Sequence, residues 1–121
     1  MSIPVGPYSP SVRSGSWVVC SGQIGLCSSP QGPVLAEGFA AQVDQALANV
    51  ADVLAGERLG WGDVVKVTAF LADMADYAVF NARYVAVLGD HRPARSVVAV
   101  VGLPLGALVE VEVWARSAGA G

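Results

Sequence analysis

The stretch from Leu108 to Ala115 alternates with a period of two. It puts Leu108, Glu110, Glu112 and Trp114 on one face and Val109, Val111, Val113 and Ala115 on the other. That pattern belongs to a half-buried strand, and a strand of this kind needs other elements against its apolar face. Two stretches upstream read as helices able to cover it. From Phe39 to Leu54 the apolar residues Phe39, Val43, Ala46, Leu47, Val50 and Leu54 recur at steps of three and four, with Gln42, Asp44, Gln45, Asn49 and Asp52 mostly on the other faces. This helix ends by Gly56. A second helix starts at Asp73 or Asp76, carries Tyr77, Phe80, Tyr84 and Leu88 on its apolar stripe, and stops at Gly89.

The remaining segments complete an α+β sheet with both helices on one face. Residues 5–15, containing Gly6-Pro7-Tyr8-Ser9-Pro10, read as a turn-rich opening segment. Trp17 to Gln23 reads as a strand interrupted by Ser21-Gly22; a glycine there usually marks the close passage of a ligand or another backbone. Cys27 to Pro33 reads as a loop and Leu59 to Gly62 as a link. Val64 to Leu71 reads as a strand with Val65, Val67, Ala69 and Leu71 on one face. His91-Arg92-Pro93-Ala94-Arg95-Ser96 reads as a charged loop feeding a buried strand, Val97 to Val101, apolar on both faces. A Gly102–Gly106 turn follows, and residues 117–121 read as a loose tail. No repeat or linker divides the chain, so residues 1–121 are expected to form one domain.

Composition adds an expectation about assembly. Hydrophobic residues make up 54% of the chain and charged residues 14%, against a usual charged share of about 25%. One small globule of this composition lacks the polar surface to cover itself, so an oligomer is expected. The sheet face away from the helices, expected to carry Cys20, Phe70 or their neighbours, is the natural surface for self-association. The formal net charge of −3 gives no electrostatic reason to expect nucleic acid. No apolar run approaches the roughly 18 residues of a membrane span, and Met1 to Pro10 lacks a basic region followed by an apolar one. The expected setting is cytosolic. Cys20 and Cys27 are too few to make a disulfide framework or a zinc site and are read as reduced thiols. No phosphate loop or dinucleotide fingerprint occurs.

Several residues have the chemistry for a site. Arg95, set between Pro93 and a strand, can present a planar fork to a carboxylate, or be an ordinary surface arginine. Glu110 and Glu112 face the same way with Cα atoms about 6.5–7 Å apart. Burial and mutual repulsion would raise such a carboxyl toward the range of a general base; the alternative is a solvated pair. His91 reads as a solvated loop residue. Cys20 has no local base to form a thiolate and reads as a structural thiol. Ser21 reads as a hydroxyl and backbone ligand beside Gly22, Tyr8 as a core residue or a pocket wall, and Asn81 as a cap or core hydrogen-bonding residue.

Six ordered segments together resemble one family over residues 6–116. They are Gly6-Pro7-Tyr8-Ser9, Ser21-Gly22-Gln23-Ile24, Asp63-Val64-Val65-Lys66-Val67-Thr68, His91-Arg92-Pro93-Ala94-Arg95-Ser96, Leu103-Pro104 and Val109-Glu110-Val111-Glu112. They resemble the RidA (YjgF) family of reactive-intermediate deaminases. The resemblance implies a chorismate-mutase-like α+β unit, a homotrimer with clefts between subunits, and hydrolysis of 2-imino acids, the tautomers of 2-aminoacrylate or 2-aminocrotonate, to 2-keto acids and ammonia. It implies that Arg95 holds the substrate carboxylate, that Glu110 orients or activates water, and that Tyr8, Ser21, Gly22, Asn81 and Val97 line the pocket. It implies a small imino or keto acid as partner, with no metal and no cofactor. Pro10 stands where the family often has Gln, Val97 where many members have Cys or Thr, and the stretch between Asn81 and Arg95 is short; these departures bear on substrate range. Three other readings stay open: a non-catalytic ligand-binding or protein-stabilising module using the same cleft, a pathway-specific deaminase with a different substrate, and RNA cleavage, which the acidic balance disfavours.

Overall fold

Residues 5–118 are described by the structure, a computed structural model, and the alternating stretch Val109–Arg116 is the central strand of its sheet. In chain order the elements are β1 (Ser11–Ser14), β2 (Trp17–Ile24), β3 (Leu26–Cys27), β4 (Val34–Leu35), α1 (Phe39–Gly56), β5 (Val64–Leu71), α2 (Tyr77–Leu88), β6 (Ala94–Ala99) and β7 (Val109–Arg116). Among the described residues the main sheet has five strands in the order β1-β2-β7-β5-β6, and β3 and β4 pair separately. Every neighbouring pair in the main sheet is antiparallel except β5–β6, which is parallel and joined through α2. The fold is therefore a mixed sheet with two helices on one face, as the sequence predicts.

Val109, Val111, Val113 and Ala115 have no exposed surface. Burying each valine stabilises the fold by roughly 1.5–3 kcal/mol. They pack with Val18 and Cys20 of β2, Val67, Ala69 and Leu71 of β5, the α1 stripe, and Phe80, Tyr84 and Leu88 of α2 in one core cluster. Asp73 accepts from the Ala75 N–H at 2.9 Å, capping the short 3₁₀ turn that leads into α2. Gly25 is required for layer packing: a Cβ there would lie 2.7 Å from the Gln42 backbone, so any side chain would push α1 away from the sheet.

The structure departs from the sequence reading where non-local pairing decides. The opening segment contains a strand, β1, and the supposed 27–33 loop is flanked by the β3–β4 pair. In β5 the inward residue is Val64, whereas Val65 is 43% exposed, because the register with β7 shifts between Val64 and Lys66 and leaves one extra residue. Gln42 and Asn49 are buried, not on outer faces. Each satisfies backbone groups of distant segments: Gln42 Oε1 accepts from Leu108 N at 2.9 Å, and Asn49 Nδ2 donates to the carbonyls of Ile24 and Leu26, both at 3.0 Å. Cys20 points into the helix-covered core, not toward the other sheet face. The last strand but one starts at Ala94, so Arg95 lies within it, and this strand is a largely exposed edge in the single chain. His91 is half-buried and donates from Nε2 to the Val64 carbonyl at 2.9 Å, so it ties a loop to β5. Of the expected tail, residues 119–121 lie outside the described residues. No helix among the described residues is long and apolar enough to cross a membrane.

Away from the helices the sheet is uncovered. Val12, Val98 and Trp114 are each more than 40% exposed. Trp114 meets Trp17 edge-to-face, the ring centroids 6.2 Å apart.

Candidate active site

A β-bulge shapes one half of the site. Along β2 the pairing with β7 runs Cys20↔Val113 and then Gln23↔Val111, so three steps on β2 match two on β7, and the irregularity falls at Ser21-Gly22. Gly22 rests directly on Glu110: a Cβ there would lie 2.7 Å from Glu110 Cδ and Oε2. Only glycine lets the backbone approach this carboxylate so closely. Ser21 Oγ donates to the Ser9 carbonyl at 2.6 Å, and Ser21 N donates to the Pro10 carbonyl at 2.8 Å, so the bulge also anchors the opening segment. Tyr8 and Gly22 line one hollow together with Gln23, Ile24 and Asn49; neither Arg95 nor Asn81 reaches it.

Glu110 is half-buried and faces the uncovered side of the sheet, opposite Phe70 of β5. Burial pushes its carboxyl above the ordinary carboxylate range, and the neighbouring Glu112 adds to the rise. Such a group holds and releases a proton closer to neutrality than an exposed glutamate does.

The other half lies between β6 and α2. Arg95 pairs with Val67, a core residue, and so shares the helix-covered face, where the edge position of β6 brings its side chain against α2. Nη2 of Arg95 donates to Asn81 Oδ1 at 2.7 Å and to the Tyr77 hydroxyl at 3.0 Å. The guanidinium carbon lies 4.8 Å from the Tyr84 ring centre, 5.6 Å from that of Phe80 and 5.7 Å from that of Tyr77. These distances are within the range of cation–π attraction. Val97, next on the same face, is partly buried against the core.

Within one chain the predicted residues thus form two groups. Tyr8, Ser21, Gly22 and Glu110 gather around the bulge, while Arg95, Asn81 and Val97 gather at β6 and α2. Glu110 pairs with Phe70, which pairs with Val98. Glu110 therefore lies two strands, roughly 10 Å, from β6 and on the opposite face from Arg95. Cys20 is 2% exposed, and its thiol is pushed up to about 11, mainly by burial and then by the Glu57 charge, so it stays protonated at neutral pH. Among the described residues no cluster of three or more His, Cys, Asp or Glu could hold a metal ion.

The sequence profile described as endoribonuclease L-PSP matches residues 2–117. The chain belongs to this family, also called the RidA/YjgF family. Among RidA-family relatives, the 2-iminobutanoate/2-iminopropanoate deaminase of Salmonella typhimurium is 40% identical over 111 residues, covering 89% of this chain and 85% of that protein. A RutC family protein of Pyrococcus horikoshii is 35% identical over 109 residues, covering 90% and 86%. RidA from an Antarctic Psychrobacter superposes with a TM-score of 0.89 at 38% identity, covering 94% of this chain and 91% of that one. Escherichia coli TdcF, solved with bound serine, superposes with a TM-score of 0.86 at 33% identity, covering 95% and 91%.

Sequence reasoning missed the aromatic surround of Arg95 in this RidA-family chain. Tyr77, Phe80 and Tyr84 read only as an apolar stripe. Their spacing does put them on one helix face together with Asn81, but that Arg95 meets this face depends on the parallel pairing of β5 and β6.

Proposed function

We propose that this chain hydrolyses small 2-imino acids and their enamine tautomers to 2-keto acids and ammonia. The observation that carries this reading is the pair of half-sites: an arginine held in place by Asn81 and aromatic rings, and a carboxyl of raised pKa held under a glycine bulge. Arg95 binds the substrate carboxylate, and Tyr8, Ser21, Gly22, Asn81 and Val97 wall the pocket. Glu110 takes a proton from water as its oxygen attacks the imine carbon. It then returns that proton to the nitrogen of the tetrahedral intermediate. The hydroxyl of that intermediate next gives up its own proton, passed through Glu110 to the same nitrogen, and the C–N bond breaks to release ammonia and leave the ketone. The imine carbon is already electrophilic, so the step needs no cofactor.

The opposite-facing half-sites favour a homotrimer in which Arg95 of one copy meets Glu110 of the next across a cleft. The uncovered sheet face with Trp114 and Val98 gives these copies an apolar surface to bury. Support for the substrate class comes from the deaminase relative and from the serine-bound neighbour, whose ligand also carries an α-carboxylate.

The test generates the imino acid in place with a serine or threonine dehydratase and times keto-acid release. The chain should accelerate release, and Arg95→Ala should abolish the effect. No acceleration, or full activity in Arg95→Ala, overturns the reading. Keto-acid binding through Arg95 without turnover would instead identify a ligand-binding module. RNA cleavage, which the family's description names, needs a cationic track for phosphates, whereas this chain carries 7 Lys and Arg against 10 Asp and Glu.

A further inference from the structure

An arginine offers a carboxylate two in-plane forks. One pairs Nε–H with a hydrogen of Nη2, and the other pairs a hydrogen of Nη1 with the second hydrogen of Nη2. Both forks share Nη2. In Arg95 this atom donates to Asn81 Oδ1 and to the Tyr77 hydroxyl, so both of its hydrogens are engaged and neither fork is open. Release of one partner restores one complete fork while the other partner still holds the guanidinium.

The two partners are unequal. Asn81 accepts at 2.7 Å in a half-buried position. Tyr77 accepts at 3.0 Å, is 40% exposed, and starts the helix beside Met74 and Val79, themselves 41% and 43% exposed. Its hydroxyl can turn to water without leaving a buried group unpaired; Asn81 has less freedom to do so. Tyr77 is therefore the partner that yields.

We propose that Tyr77 is a positioning residue that sets carboxylate affinity: its hydroxyl closes the Arg95 fork and gives way to a ligand that brings a carboxylate. The ligand class is planar 2-oxo or 2-imino carboxylates. The matching amides lack the charged oxygen pair that fills a complete fork. This rests on the reading of Arg95 as the carboxylate anchor.

The experiment measures binding of 2-oxobutanoate and of its amide to the wild-type protein, Tyr77→Phe and Arg95→Ala by calorimetry. Tyr77→Phe keeps the ring and removes only the competing acceptor. Its dissociation constant for the acid should fall about three- to tenfold, the worth of one hydrogen bond. Binding of the amide, whose one carbonyl acceptor can use Nε–H or Nη1–H without displacing Tyr77, should strengthen less than that of the acid, widening the preference between them. In the coupled deaminase assay KM should fall with kcat unchanged, a split that a merely structural role would not produce. Unchanged or weaker acid binding in Tyr77→Phe, with binding abolished in Arg95→Ala, overturns the role of Tyr77 alone. Wild-type-like binding by Arg95→Ala, or no binding by any of the three proteins, overturns the anchor and the Tyr77 role together.

Discussion

Replacing Gly22 by alanine should separate the position of Glu110 from the stability of the fold. The new Cβ would stand 2.7 Å from Glu110 Cδ and Oε2 and 2.9 Å from Cγ. Carbon atoms normally approach to about 3.5–4.0 Å, so the carboxyl must withdraw by roughly 1 Å. All three atoms belong to the outer part of a flexible side chain, and Gly22 is not among the positive-φ glycines, so the backbone itself accepts alanine. Loss of unfolded-state freedom favours alanine by about 0.4–1 kcal/mol, and a displaced glutamate rotamer costs about 0.5–1.5 kcal/mol. The two nearly cancel, and the melting temperature should move by only a few degrees. Displacing a proton-transfer group by about 1 Å is expected to lower kcat/KM by roughly 100-fold. The coupled dehydratase assay reads the rate and a thermal melt reads the fold. Adding Gly22→Ala to Glu110→Gln should cost little beyond Glu110→Gln alone, because both act through one group. Near-wild-type kcat/KM in Gly22→Ala would refute the role given to Glu110, and loss of the cooperative melt would show that the bulge, not the side chain, takes the clash.

Three further outcomes are expected. Glu112→Gln removes the secondary cause of the raised Glu110 carboxyl and leaves the main cause, burial, so the acid limb of the kcat/KM profile should move part of the way to lower pH; an unmoved limb means that another group titrates there. Because the folded state holds the Glu110 proton more tightly than the unfolded chain does, stability from this group is present in acid and is lost as pH rises through the raised value. Glu110→Gln should accordingly gain stability relative to wild type at neutral pH and not in acid, as read from urea midpoints at both pH values. The Tyr84 hydroxyl is buried without a hydrogen-bond partner among the described residues, so Tyr84→Phe should keep or raise stability by about 1 kcal/mol; a clear fall in the melting temperature would reveal a hidden partner. Asn49→Ala orphans the carbonyls of Ile24 and Leu26 and should cost about 2–4 kcal/mol, with faster hydrogen exchange around the β3–β4 pair; an unchanged melt would refute this.

The elements that depend on local periodicity were legible without the structure. The alternation through Val109–Ala115 and the stripes of Phe39–Leu54 and Tyr77–Leu88 each carry their own phase, and Gly89 marks a helix end. The family was legible for a related reason: its motifs are short runs such as Ser21-Gly22-Gln23-Ile24, readable without knowing what lies beside them. What a single run cannot contain is its partner's register. The two bulges, at Ser21-Gly22 and at Val65, exist only as mismatches with β7, and they decide that Gly22 rests on Glu110 and that Val65 faces out. The burial of Gln42 and Asn49 follows likewise from backbone groups 66 and 25 residues away in sequence. Sequence alone thus settled the two helices, the strands around Trp17–Gln23, Val64–Leu71 and Val109–Ala115, and which residues have the chemistry for a site, because periodicity and side-chain type are local properties. Tertiary structure decided that Arg95 meets Tyr77, Phe80, Asn81 and Tyr84, and that Glu110 lies on the opposite face of the sheet, because the parallel pairing of β5 with β6 places those groups and no stretch of sequence encodes that pairing by itself.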